Sequence, residues 1–179
     1  MPVSVVTKRD LLLSFCESKI NAHKTALGIT ATLKTANRYR HQTDPRTSRL
    51  KRIEVMGEET FHAFYLEVLH IGPHERTIDL APGEDFFGQD TFQVSFFLRY
   101  KDHAAYASSS QNEMDTICHS QSTSTPGLLP AMRTTTTLGS GDDRCILNDP
   151  YEENETVIPM DDAGEELAHL ITFAVQIEG

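Results

Sequence analysis

The chain has 179 residues, 39% hydrophobic and 23% charged, with 26 acidic against 16 basic residues and a net charge of −10. That length suits one domain with a core of its own, burying roughly 70% of the unfolded chain's surface, and the composition excludes a wholly disordered chain. The acidic balance argues against an extended nucleic-acid-binding surface, which needs clustered Lys and Arg, but suits a surface that repels DNA so that it slides past.

Three cysteines (Cys16, Cys118, Cys145) are odd in number, widely spaced and outside any CxxC or Cys/His pattern. They are expected to be reduced and mostly buried. Met1 to Leu13 holds only the short apolar run Leu11-Leu12-Leu13, after Lys8, Arg9 and Asp10, which does not make a signal peptide. No stretch approaches the ~20 apolar residues of a membrane span. The expected location is intracellular, and the Asn154-Glu155-Thr156 sequon reads as coincidence.

In chain order, residues 8–24 carry Leu12, Phe15, Cys16 and Ile20 at helical spacing. Thr7 and Asp10 have the spacing of a capping box, and Gly28 is a stop. Residues 34–52 gather Lys34, Arg38, Arg40, Arg46, Arg49, Lys51 and Arg52 around the breaker Asp44-Pro45. They read as an exposed basic loop, over about 34–50, leading into a short strand at 52–56. Residues 60–71 read as a strand with apolar residues on both faces: Phe64, Leu66 and Val68 on one, Phe61, Tyr65, Leu69 and Ile71 with Glu67 on the other. A long connection, about 72–90, holds three breakers, five carboxylates and the pair Phe86-Phe87.

The clearest element is 91–101. Phe92, Val94, Phe96, Leu98 and Tyr100 alternate with polar residues, with Phe97 the one exception. A period of two over eleven residues is a strand and cannot be a helical stripe. Ser108-Ser109-Ser110 caps a second helix over 108–120, which buries Met114, Ile117 and Cys118. The Ser/Thr-rich stretch 120–143 reads as a mobile or extended loop. Strands follow at 145–147, 156–158 and 168–178, the last with His169 alone among the apolar residues of its inner face. The sum is one α+β domain over residues 1–179, a mostly antiparallel sheet with two helices on one face.

Candidate chemistry is sparse. His70 and His74 are four apart with Asp79, Glu84 and Asp85 nearby, a set that would serve a small metal-dependent hydrolase, but Gly72-Pro73 and the preceding strand remove the helical geometry such a pair needs. Cys118-His119 are neighbours on a helix and point apart, and Asp102-His103 read as a turn. Gly139-Ser140-Gly141 lacks the lysine of a phosphate loop, and the acids from Asp161 to Glu166 lack the spacing of a calcium loop. No catalytic residue, resident metal or cofactor is assigned. Tyr65, Leu69 and Phe97, with Glu67 between them, lie on mixed faces. They suit either packing beneath a helix or a subunit interface, where aromatics concentrate; Phe86 and Phe87 join them as interface candidates.

The layout resembles the tail terminator and tail completion proteins of long-tailed bacteriophages. The matching features are the helix 8–24, the hairpin 60–71 and 91–101 ending in Leu98-Arg99-Tyr100, the polar helix 108–120 and the final strand from Leu170 to Gly179. The basic segment 34–52 and the Ser/Thr-rich loop depart from it. The resemblance implies a non-enzymatic virion protein, made in the host cytoplasm, that forms a homohexameric ring at the head–tail junction (the neck). Such a ring terminates the tail tube and joins it to the head–tail connector or adaptor, with DNA passing through the lumen and no sequence-specific binding. Loops 72–90 and 120–143 would dock neighbouring rings. A monomeric binding module remains the other non-enzymatic reading.

Overall fold

The computed structural model describes residues 3–27, 33–35, 39–43, 50–54, 63–72, 88–101, 113–159 and 166–179. In chain order these form α1 (Val5–Leu27), β1 (Leu33–Thr35), β2 (Tyr39–Thr43), β3 (Leu50–Glu54), β4 (Ala63–His70), β5 (Gln89–Lys101), α2 (113–119), α3 (Leu128–Thr134), β6 (Thr137–Leu138), β7 (Cys145–Leu147), β8 (Tyr151–Pro159) and β9 (Glu166–Glu178). The class is α+β with a mostly antiparallel sheet, as the alternating runs predict.

The sheet is built on β5 and β9, which pair antiparallel along their whole length from Gln89↔Glu178 to Lys101↔Glu166. Strand β4 pairs antiparallel with the other side of β5, and β1 adds a short parallel edge to β4. The second edge of β9 is shared by β7 at its C-terminal end and β8 over the rest, with β6 beyond β7. Strands β7 and β8 behave as one broken strand. Partner numbers along β9 slip by one residue between Leu147↔Ile177 and Tyr151↔Ala174, and again before Asn154↔Thr172. Each slip is an inserted residue that bends the strand and re-aims its side chains. At the second, Glu152 takes a left-handed φ of 52°.

Period two decides the faces. Phe64, Leu66 and Val68 of β4, Phe92, Val94, Phe96 and Leu98 of β5 and Ile171, Phe173, Val175 and Ile177 of β9 point to one side. They share a core cluster with Leu12, Cys16 and Ile20 of α1, Met114, Ile117 and Cys118 of α2 and Leu128, Leu129 and Met132 of α3. Burying each of the larger side chains stabilises the fold by about 1.5–3 kcal/mol. Rings stack across the strands on both faces, Phe64 on Phe96 at 5.6 Å and Tyr65 on Phe97 at 4.7 Å.

Four local expectations change. Helix α1 begins earlier and is capped by Ser4, whose Oγ accepts the Thr7 N–H at 3.1 Å. Thr7 is therefore the N3 residue rather than the cap. Part of the basic segment read as a loop is instead an antiparallel hairpin, Tyr39↔Glu54 to Thr43↔Leu50. The 120–143 stretch, read as a mobile or extended loop, holds α3, β6 and a 3-10 turn. Pro130 is the third residue of α3, in the first turn, where its missing N–H has no intrahelical partner to lose. Among the described residues that makes three helices on the core face in place of two.

Gly127 explains how α2 and α3 meet. Its N–H bonds to the Ser120 carbonyl at 2.8 Å, and a Cβ there would sit 2.6 Å from the Ser120 nitrogen and 2.8 Å from the Cys118 carbonyl. Only glycine allows the two backbones so close. All three cysteines are free and buried. Among the described residues no helix is long and apolar enough to cross a membrane.

Candidate functional site

Two polar clusters interrupt the apolar face, one at each end of the β5–β9 ladder. At the first, Lys8 of α1 and Asp90 of β5 are both wholly buried and pair at 3.0 Å. The Lys8 ammonium also donates to the Gly88 carbonyl. The other Asp90 oxygen lies 3.0 Å from Nε2 of His70, whose ring tilts against Phe92 across the strands. Helix periodicity puts Lys8 in line with Leu12, Cys16 and Ile20, so the same stripe that buries the helix carries the ammonium inward.

At the opposite end, α2, α3, β8 and β9 converge. Asp115 and His119 are four apart on α2 and share a face. Strand β8 brings Glu153 and Glu155, and Asp115, His119 and Glu155 offer ligand atoms that all lie within 4.8 Å of one another. Nδ1 of His119 is 3.6 Å from Glu153, and its Nε2 is 3.7 Å from Oε2 of Glu155. Arg133 of α3 holds the other Glu153 oxygen at 3.0 Å. His169 of β9 sits beneath, 3% exposed. It faces Leu98 across the ladder, and its Nε2 bonds Oε1 of Glu155. Its Nδ1 is buried and has no hydrogen-bond partner among the described residues.

The residues singled out in the sequence divide between these places. His70 is tied to Asp90, while His74, Asp79, Glu84, Asp85, Phe86, Phe87, Asp102 and His103 lie outside the described residues. Tyr65, Glu67 and Phe97 sit together on the sheet face away from the core cluster, buried within the chain, and Leu69 is exposed further along. Cys118 points into the core and His119 outward. Burial, followed by the charges of Glu155, Asp115 and Glu153, holds the Cys118 thiol well above the ordinary thiol range, so the two make no nucleophile–base pair.

The second cluster escaped the sequence reading. Two signals were present: Asp and His four apart on a predicted helix, and the single histidine on the inner face of the last strand. Neither reveals that the bulged strand β8 brings two glutamates to meet them.

No family model and no curated protein matches this sequence. Among solved structures, the chain is similar to one from the virion of a native gene transfer agent particle, with 12% identity, a TM-score of 0.42 and 92% of each chain covered.

Proposed function

We propose that this chain is a structural protein of a phage-like particle that assembles as a ring at the head–tail junction, with six members as the family resemblance implies. There it ends the tail tube and joins it to the connector. The observation that carries the reading is the open edge of the sheet. Among the described residues β8 pairs with β9 alone, and Tyr151 and Val157 are exposed along it. An exposed edge with apolar residues is a template for association with another chain. Contact between that edge and a different surface of the next copy is heterologous, the kind that closes into rings. The carboxylates of Glu152, Glu153 and Glu155 between the apolar residues restrict which surface fits. A net charge of −10 suits a lumen through which DNA passes without adhering.

Light scattering with negative-stain microscopy, in the presence and absence of purified tail tubes, tests this. Rings, or protein added at tube ends, are expected, and Val157→Lys weakens both without changing the circular dichroism. A chain that forms no ring and associates with neither tubes nor connectors overturns the reading.

A further inference from the structure

The geometry points to a divalent transition-metal site formed by Asp115, His119 and Glu155, with His169 and Glu153 positioning its ligands. The site lies within one chain and does not depend on ring assembly.

Three observations carry it. The first is spacing. Nε2 of His119 and Oε2 of Glu155 stand 3.7 Å apart, beyond hydrogen-bond reach. Two donors bound at about 2.1 Å to a tetrahedral ion lie roughly 3.4 Å apart, so small side-chain movements bring this pair onto one cation. Asp115, one helical turn before His119, supplies the third ligand.

The second is the arrangement behind the ligands. Metal-binding imidazoles and carboxylates are held by hydrogen bonds from their outer atoms. Here Glu153, held by Arg133, stands 3.6 Å from the far nitrogen of His119, close enough for a small side-chain movement to make that bond. Glu155 is held through Oε1 by His169, which leaves Oε2 toward His119. His169 occupies an apolar face opposite Leu98, and its Nδ1 is buried without a partner among the described residues. An unsatisfied buried nitrogen is destabilising. Fixing Glu155 is what the imidazole does in return.

The third is charge. The cluster holds three carboxylates, Asp115, Glu153 and Glu155, against one guanidinium, Arg133, which pairs with Glu153. One imidazole and two carboxylates suit zinc, manganese or ferrous iron better than calcium or magnesium, which favour all-oxygen shells. Asp115 and Glu155 are exposed and His119 is half-buried, so the ion would retain water and would clamp α2 to the edge strand β8.

The test uses the tag-free full chain, stripped with a chelator, titrated separately with Zn²⁺ and Mn²⁺ by calorimetry and followed by thermal melting. One ion per chain and a rise in Tm of several degrees are expected for at least one metal. Both are lost in His119→Ala and Asp115→Asn, whose side chains are accessible enough for the fold to survive. His169→Leu keeps the three ligands but weakens binding about 10–100-fold, the range for lost outer hydrogen bonds, and His169→Gln, which restores a donor, recovers part of it. Co²⁺ gives d–d bands without thiolate charge-transfer absorption. No binding, binding unchanged in His119→Ala, or a thiolate band from Cys118 overturns the site and leaves an ion-pair cluster only.

Discussion

The two polar clusters lie on the same face, separated by eight residues of β5, about 27 Å at ~3.4 Å per residue. At the Asp90 end the ion pair is closed: ammonium, carboxylate and backbone carbonyl satisfy one another out of contact with water, and only the His70 ring, on the far Asp90 oxygen, reaches the surface. At the His169 end the groups are half in solvent, their separations are longer, and one buried nitrogen has no partner among the described residues. A polar group inside a core is tolerated when its valences are filled. The closed end meets that rule and acts as a structural pin between α1 and the sheet. The open end leaves one such valence, Nδ1 of His169, unfilled among the described residues.

Removing one partner from the closed end is the most damaging change expected. Asp90→Ala leaves the Lys8 ammonium buried without compensation and should cost about 3–5 kcal/mol in urea unfolding. The double variant Lys8→Met/Asp90→Leu, which replaces the pair with apolar volume, should recover most of that. If the double variant is as unstable as the single, charge compensation is not what the pair supplies. The same experiment at the open end gives a contrast. Arg133 and Glu153 are 48% and 34% exposed, so Arg133→Ala should cost less than about 1 kcal/mol. Between these extremes, Gly127→Ala forces a Cβ against the Ser120 and Cys118 backbones and should lower stability by about 2–3 kcal/mol, loosening α2 and with it the open end alone.

The sheet was readable because period two fixes both an element and its face. The alternation at 91–101 and 168–178 predicts β5 and β9, and the two-sided run at 60–71 predicts β4. Helix α3 was hidden by Ser122 to Thr125 and by Pro130, which reads as a breaker until its place in a first turn is known. The closed cluster was hidden because Lys8 looks like part of a charged cap until α1 is extended back to Val5. The open cluster depends on register: two bulges, invisible in composition, decide that Glu153 and Glu155 meet α2 and β9.

In the core behind these clusters lie Cys16 and Cys118, whose thiols are pushed up mainly by burial. The unfolded chain releases these protons near the ordinary value of 9.0, while the folded chain keeps them. Their contribution is complete below about pH 9 and falls above it, because the folded state then binds more protons than the unfolded. The expected slope is about 1.4 kcal/mol per pH unit for each thiol. Chemical unfolding from pH 8 to 10.5 measures it, and Cys16→Val/Cys118→Val should flatten the profile. A profile already flat in the natural sequence would show that water reaches the thiols.

The smallest effect expected separates strain from function at the open end. Glu152 holds a φ of 52° at the second bulge of β8, a conformation that costs a side chain other than glycine or asparagine roughly 1–2 kcal/mol. Glu152→Asn should keep the bulge while relieving part of that cost, raising stability by about 0.5 kcal/mol, on the order of 1–2 °C in Tm for a chain of this length. Because the backbone path aims Glu153 and Glu155 toward α2, the metal affinity of this variant should match that of the natural sequence. A higher Tm with unchanged affinity identifies the bulge as an aiming device that any αL-tolerant residue can serve. A lower Tm would mean that the Glu152 side chain itself steadies the edge, and the strain would then be offset by a contact rather than by the placement of its neighbours.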